Sequence, residues 1–293
     1  MRITAIISVL VVGLACLLSA SDANAAQILF GADGSAGNAS TNLYTIDATT
    51  GATISTIGPI GYAVTGLAID PNTGTLYGTT NSNSPAGPNS LISINTATGA
   101  GTLIGGAHPG NMADITFDSS GTLYAWGETG GGGSAGDDLY TINLGTGVAT
   151  KVGEAGVATA GSGLAAAADD TLFFAGLFDG LGTDPDLATV NGITGAVSKI
   201  ADLSRAIRTN SLAFDGSGTL FGVQTDVAGL LGTRSLVTIN TLTGAVTVVG
   251  LTVPGLDAIV FSGDVVVPEP SSFALLGLGA LGLIAYRRKR RAA

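Results

Sequence analysis

Carboxylate side chains are the main candidates for chemistry in this 293-residue sequence, because it contains only one His, one Cys and one Trp. That composition rules out a histidine-rich metal cluster, a four-cysteine zinc site and a disulfide framework. Asp114 and Asp257 could form a glycosidase pair, in which one carboxyl acts as acid and the other as base or nucleophile. Such a pair requires a scaffold that brings two residues so distant in sequence into one cleft.

Four further aspartates, Asp137, Asp138, Asp184 and Asp186, lie in or beside glycine-rich polar segments. Clustered carboxylates could bind calcium, which takes about six to eight oxygen ligands, but no segment matches an EF-hand loop. The alternative is that these are solvated loop acids that keep the chain soluble. We therefore predict no metal site and no cofactor, with calcium as the alternative.

Three basic side chains, His108, Arg205 and Arg208, fall in loops that enter the same region as Asp114 and Asp257. They are candidates for ligand contacts. The alternatives are an exposed loop histidine and two arginines that pair with acidic groups of the body.

The scaffold is revealed by an internal repeat. One ten-residue motif, which begins Leu-Tyr-Thr-Ile-Asp at Leu43, occurs five times at spacings of 48, 48, 48 and 49 residues. A second motif, Gly66-Leu-Ala-Ile-Asp, follows each copy and is truncated in the last one, at Asp257. Five copies in near-constant register predict five equal structural units.

Each repeat contains four short segments rich in β-branched and aromatic residues, a composition typical of strands. In the first copy these predicted strands are residues 43–47, 53–57, 65–70 and 75–79. Turns that start with Asp or Asn and end with Gly join them as hairpins, and Asp70, Asp118 and Asp215 read as turn residues. Four-stranded units of this length are typical of a β-propeller; a parallel solenoid is the alternative, although its coils are usually about half as long.

We therefore predict an all-β, five-bladed propeller at residues 26–264, built of four-stranded antiparallel blades. The last repeat lacks a fourth strand, and residues 28–31 supply a spare one, so the N-terminal strand should close the ring and remove two unpaired edges. In an antiparallel meander, alternate connections fall on opposite faces. The tight turns therefore share one face, and the other face carries five long connections: 32–41, 80–89, 127–138, 178–186 and 225–234. Function in such scaffolds tends to lie on loops, so the long-loop face is the expected ligand face.

Charge narrows the range of partners. The body carries 5 Lys and Arg against 19 Asp and Glu, a net charge of −14, which argues against nucleic acid and against an anionic lipid surface. We expect a monomer.

The N-terminus has the pattern of a secretory signal peptide at residues 1–25. Arg2 precedes an apolar stretch, and Ala23 and Ala25 offer small residues at the −3 and −1 positions of a cleavage site. Cleavage there would remove Cys16, the only cysteine. The alternative is an uncleaved anchor.

The C-terminus has three parts: a linker at 265–270 that contains Pro268, Glu269 and Pro270, an apolar segment at 271–286, and a basic tail at 287–293. As a helix, the 16-residue apolar segment would be about 24 Å long, somewhat short of the roughly 30 Å hydrocarbon core. We predict a transmembrane helix there. The basic residues would remain cytoplasmic by the positive-inside bias; they are Arg287, Arg288, Lys289, Arg290 and Arg291.

These three parts, in this order, resemble the PEP-CTERM sorting signal of Gram-negative bacteria that make exopolysaccharide. The resemblance implies recognition by an exosortase, cleavage near Pro268-Glu269-Pro270, transient membrane insertion, and delivery to the cell surface by way of the inner membrane. The alternative is a permanent single-span anchor.

The repeats are similar to secreted NHL-like propeller repeats, through Gly66-Leu-Ala-Ile-Asp and Gly74-Thr-Leu-Tyr-Gly. This resemblance implies that the second motif forms the inner strands around the axis, but it is architectural and implies no activity. The leading hypothesis is a secreted or surface-sorted, non-enzymatic binding or structural protein of the extracellular matrix. The alternative is a polysaccharide-acting hydrolase or lyase with carboxylates at the propeller axis.

Mass spectrometry of the mature protein tests the sorting hypothesis. We expect a C-terminus near Pro268-Glu269-Pro270, because an exosortase would remove the apolar segment and the basic tail. A mature chain that still carries Arg287 to Arg291 would contradict this expectation and favour the permanent anchor.

Overall fold

A computed structural model describes residues 27–34, 41–106, 108–128, 137–157, 159, 162–176, 185–205, 208–225 and 233–263. All of them belong to one compact unit, Gln27–Gly263. Within these residues there are twenty strands: β1 (Leu29–Ala32), β2 (Asn42–Ile46), β3 (Thr53–Pro59), β4 (Val64–Ile69), β5 (Leu76–Thr80), β6 (Leu91–Ile94), β7 (Gly101–Gly105), β8 (Asn111–Phe117), β9 (Leu123–Glu128), β10 (Asp137–Ile142), β11 (Ala149–Val157), β12 (Gly163–Ala166), β13 (Leu172–Gly176), β14 (Asp186–Val190), β15 (Val197–Asp202), β16 (Thr209–Phe214), β17 (Leu220–Thr225), β18 (Arg234–Ile239), β19 (Val246–Leu251) and β20 (Ala258–Phe261).

The strands form a five-bladed propeller of four-stranded antiparallel sheets, as the repeat predicts. Blade 1 is β4 to β7, blade 2 is β8 to β11, blade 3 is β12 to β15, blade 4 is β16 to β19, and blade 5 is β20 followed by β1, β2 and β3. The four strands predicted for the first repeat match β2, β3, β4 and β5 to within one or two residues. The second motif forms the inner strands, which pack against one another around the axis.

Blade 5 closes the ring by joining the two ends of the body. Strand β1 lies between β20 and β2, and Leu29 pairs with Phe261 while Ala32 pairs with Ala258. The closing blade therefore takes three strands from the N-terminal side and one from the C-terminal side. The side chain of Ser262 strengthens the join, since its hydroxyl accepts a hydrogen bond from the Ile28 backbone N–H at 2.8 Å.

The chain contains 46 glycines among its 293 residues, and several of them end the tight turns at one end of the blades. In the first turn the Asp47 carboxylate accepts the Thr49 N–H at 2.7 Å, and the Gly51 N–H donates to the Asp47 carbonyl at 2.8 Å. Gly51 has φ = 77°, a conformation that costs glycine little. Asp70, Asp118 and Asp215 accept backbone N–H groups in the same way, which confirms them as turn residues.

The hydrophobic core is divided among the boundaries between adjacent blades. Five clusters of buried side chains occur in the described residues, one at each boundary. At the boundary of blades 2 and 3, the rings of Trp126 and Phe174 lie 4.3 Å apart. Each blade therefore packs against its two neighbours through these clusters.

None of the described residues forms a helix long and apolar enough to span a membrane. The predicted transmembrane helix at 271–286 lies outside the described residues, as do the signal cleavage residues Ala23 and Ala25, the Pro268-Glu269-Pro270 motif and the basic tail.

Candidate functional site

The inner strands bring one residue from every blade to a small cavity at the long-loop end of the axis. These five residues occupy the same position of the repeat, two residues before the buried Leu or Ile of the second motif: Thr65, Ala113, Ser162, Asn210 and Asp257. Asn111 and Glu128 complete the lining of this axial cavity, whose volume is about 100 Å³. The next position of each inner strand does not line the cavity; these residues are Gly66, Asp114, Gly163, Ser211 and Ala258.

At this next position of blade 2, the carboxylate of Asp114 is fully buried. One carboxylate oxygen accepts the backbone N–H groups of Leu164 in blade 3 and Leu212 in blade 4, both at 3.0 Å. The other accepts the N–H of Ile115 at 3.0 Å. Asp114 therefore links three inner strands, and we call this arrangement the axial plug.

Small residues leave room for the plug. A Cβ on Gly66 would come within about 3.1 Å of the Asp114 Cα, and one on Gly163 within 2.8 Å of the Ser211 carbonyl carbon. The Ser211 hydroxyl hydrogen-bonds Asp114 and accepts the Ile259 N–H of blade 5 at 3.1 Å. Burial raises the pKa of Asp114 well above its usual range, although these hydrogen bonds act in the opposite direction. Asp114 does not line the axial cavity, and its hydrogen bonds are all within the scaffold.

Asp257, by contrast, faces the axial cavity. One of its oxygens accepts the Asn210 side-chain amide at 2.8 Å. Burial raises the pKa of Asp257 to about 6. The Asn210 hydrogen bond and the Arg234 charge act to lower it, and the Glu128 charge adds to the rise. A carboxyl whose pKa is raised in a cavity is a feature of functional sites.

Glu128 is the second carboxylate of the axial cavity, and sequence reasoning missed it. It ends β9, and the Ser162 hydroxyl donates to its Oε1 at 3.2 Å. The corresponding positions are Asn81 in blade 1 and Thr225 in blade 4. The other two blades carry Leu177 and Gly34 there, so an acidic residue at this one copy of the position was the available signal.

Two of the predicted ligand-face aspartates form ion pairs inside their own blades. The Lys151 ammonium lies 2.6 Å from Asp138, and the Lys199 ammonium lies 2.8 Å from Asp186. Both aspartates are buried, and each lysine also pairs with a second acid, Glu154 or Asp202. The two triads are 48 residues apart in sequence, so the same ion-pair arrangement is repeated in two blades. In each of them it links the third strand to the outer strand.

The remaining candidates are dispersed. Asp137 accepts both the N–H and the hydroxyl of Thr159, at 2.6 and 2.8 Å. His108 is buried, its Nε2 lies 3.1 Å from the Gly147 carbonyl oxygen, and burial lowers its pKa. Arg205 is half-buried and Arg208 is exposed, whereas Asp184 lies outside the described residues.

A second cavity of about 290 Å³ lies at the opposite end of the axis. The far ends of the inner strands line it, together with both ends of the compact unit, Gln27 and Gly263. The Gln27 side chain accepts the Gly216 N–H at 2.6 Å. The axial plug lies between two cavities, one lined mainly by polar residues and one bordered by the ends of the compact unit.

Comparison with known proteins places residues 266–291 in the PEP-CTERM protein-sorting motif. No curated protein matches the chain. Among solved structures, TolB from Acinetobacter baumannii is similar at 14% identity with a TM-score of 0.45, over 77% of this chain and 52% of that one. This chain therefore spans about half the length of TolB.

A gluconolactonase from Xanthomonas campestris is similar at 14% identity with a TM-score of 0.46, over 79% of this chain and 77% of that one. Likenesses at this identity concern the fold and say nothing about activity. The sorting motif is informative in its own right, because it marks the chain as a secreted or cell-surface protein exported through the inner membrane.

Replacing Asp114 by Ala tests the axial plug. The Asp114→Ala variant leaves the N–H groups of Leu164, Leu212 and Ile115 without an acceptor, at about 1–3 kcal/mol for each unsatisfied group. We expect the free energy of unfolding in urea to fall by about 3 kcal/mol or more. Asp257→Ala, one level higher, is the matched control and should lose less than about 1 kcal/mol. Equal losses in the two variants would contradict the plug.

The raised pKa of Asp257 gives a pH-dependent prediction. Because its folded-state pKa of about 6 lies above the ordinary value of 3.8, its contribution to stability is full below about pH 4 and is lost as the pH rises through 6. Asp257→Asn should therefore stabilise the protein at pH 8, by up to about 3 kcal/mol at roughly 1.4 kcal/mol per pKa unit.

Thermal unfolding of the wild type and Asp257→Asn between pH 4 and pH 8 measures this difference, which should vanish at pH 4. Asp169→Asn is the control, because the Thr171 hydrogen bonds lower the pKa of the exposed Asp169 carboxyl. A pH-independent difference between Asp257→Asn and the wild type would rule out the assignment.

Proposed function

We propose that this secreted or cell-surface propeller is a non-enzymatic binding protein of the extracellular matrix, with its long-loop face as the ligand face. The main observation behind the proposal is that Asp114 has a structural role. Its three backbone hydrogen bonds commit the carboxylate to the scaffold, so the pair of Asp114 and Asp257 that glycoside hydrolysis would need is not offered to a substrate.

The size of the axial cavity supports the same proposal. Ligand pockets for small organic molecules typically measure about 300–1,000 Å³, whereas this cavity is about 100 Å³. The axial cavity is therefore smaller than a typical pocket for a small organic ligand. Polysaccharide recognition would therefore use the surrounding loops rather than a catalytic cleft.

The proposed layout of the chain follows from the sorting motif. Residues 1–25 are a signal peptide, 26–264 the propeller, 265–270 the linker, 271–286 a membrane-spanning helix, and 287–293 a cytoplasmic tail. An exosortase cuts at the linker and releases the propeller, as a monomer, to the outer surface. The short apolar segment would then serve only transient insertion.

A second candidate function, a polysaccharide hydrolase or lyase, rests on one observation. Asp257, with its raised pKa, shares the axial cavity with Glu128, and carboxyls in different environments can act as acid and base. This function requires the cavity to widen on substrate binding.

Retention in the matrix distinguishes the two functions. In an exosortase-containing strain that makes exopolysaccharide, we expect the full chain to be processed and held in the matrix. In an isogenic strain that lacks the polysaccharide, it should appear in the medium instead. Equal retention in the two strains would exclude polysaccharide binding. Reducing ends released from the purified polysaccharide by the wild type, and not by Asp257→Asn, would favour the enzyme.

A further inference from the structure

We propose that the axial cavity binds one hard divalent cation, with the coordination chemistry of calcium. The site is built by the whole ring, because all five blades supply one lining residue at the same repeat position. Four of those five residues, together with Asn111 and Glu128, carry a side-chain oxygen. This site lies away from Asp137, Asp138 and Asp186, the aspartates that the sequence offered for calcium.

Three of the lining residues use a side-chain donor within the walls of the cavity. The Thr65 hydroxyl donates to the Met112 carbonyl at 2.7 Å, and the Ser162 hydroxyl donates to Glu128 at 3.2 Å. A hydroxyl has one proton to donate and two lone pairs, so both oxygens remain available as acceptors. The side-chain amide of Asn210 likewise donates to Asp257. The Asn111 side-chain oxygen accepts the Ser82 N–H at 3.0 Å, so the two carboxylates and the two hydroxyls are the main oxygen ligands offered to a cation.

The volume and the donor types specify the class of ion. About 100 Å³ corresponds to roughly three waters at about 30 Å³ each, which is room for an ion with a few bound waters. The lining offers oxygen, and it contains neither a thiolate nor an imidazole, the ligands that zinc and copper prefer. Within the described residues no group of three or more His, Cys, Asp and Glu side chains could hold a metal, so neutral oxygens must complete the shell.

Charge gives the cation its binding energy. Asp257 and Glu128 line the same small cavity, so two negative charges repel each other across it. Arg234 also attracts Asp257, but its Nε donates to the Leu256 carbonyl at 3.1 Å and it does not line the cavity. A divalent ion between the two carboxylates would relieve their repulsion. With only two carboxylates, we expect affinity in the range of extracellular calcium modules, about 10⁻⁴–10⁻³ M.

Calcium titration of the secreted protein, purified and first treated with a chelator, tests the proposal independently of any matrix ligand. At pH 7.5 we expect a saturable rise in Tm and a one-site isotherm by calorimetry, with magnesium giving a smaller rise. Protons compete for Asp257, so the affinity should fall severalfold at pH 5.5. No effect of calcium at 10 mM on the wild type would overturn the proposal.

Variants assign the effect to the axial cavity. Asp257→Asn and Glu128→Gln should each abolish the calcium response, and Asp257→Asn is expected to fold at least as stably as the wild type, so the loss would not reflect unfolding. Asp169→Asn makes the same charge change at the opposite face and should keep the response. A calcium response that survives in Asp257→Asn would show that the ion binds elsewhere, and the proposal would then be wrong.

Discussion

The carboxylate of Asp114 is the interaction on which the geometry of the axis depends. Its oxygens accept N–H groups from β8, β12 and β16, and Ser211 extends the network to β20. The hydrophobic clusters between blades act only on neighbours, whereas Asp114 joins strands from blades 2 and 4, which do not pair. Burying a carboxyl costs free energy unless hydrogen bonds satisfy it, and here the gain is a fixed distance between inner strands.

Closing the axis in this way determines where chemistry can occur. The residues above the plug line a polar cavity at the long-loop face, and those below line a cavity bordered by the ends of the compact unit. A substrate cannot reach Asp114 from either side, because the side chain is fully buried. Asp257, only one level higher, faces the axial cavity. An aspartate thus holds the scaffold together at one position of the inner strands, and at the preceding position another aspartate is accessible to a ligand in the axial cavity.

The fold was largely predictable from the sequence, since the spacing of 48 residues and the Asp- or Asn-started turns are local signals. The site was not. The hydrogen bond from Leu212 to Asp114 joins residues 98 apart in sequence, and no local pattern specifies which axial side chains meet. Asp138 and Asp186 looked like loop acids because their partners, Lys151 and Lys199, lie on the next strand. The repetition of that acid–lysine pair after 48 residues was the overlooked signal.

The repeats also differ from one another at the axis. At the position that directly follows the level of Asp114, every inner strand carries a buried Leu or Ile, because the cores between blades require a similar volume. These residues are Leu67, Ile115, Leu164, Leu212 and Ile259. At the plug level Gly66 and Asp114 stand in equivalent places, and at the cavity level Thr65 and Asp257 do. Packing requires uniformity between blades, but five identical side chains converging on one axis would clash or repel. Only different side chains can fill the centre, so the axial levels are where this repeat protein can build a specific site.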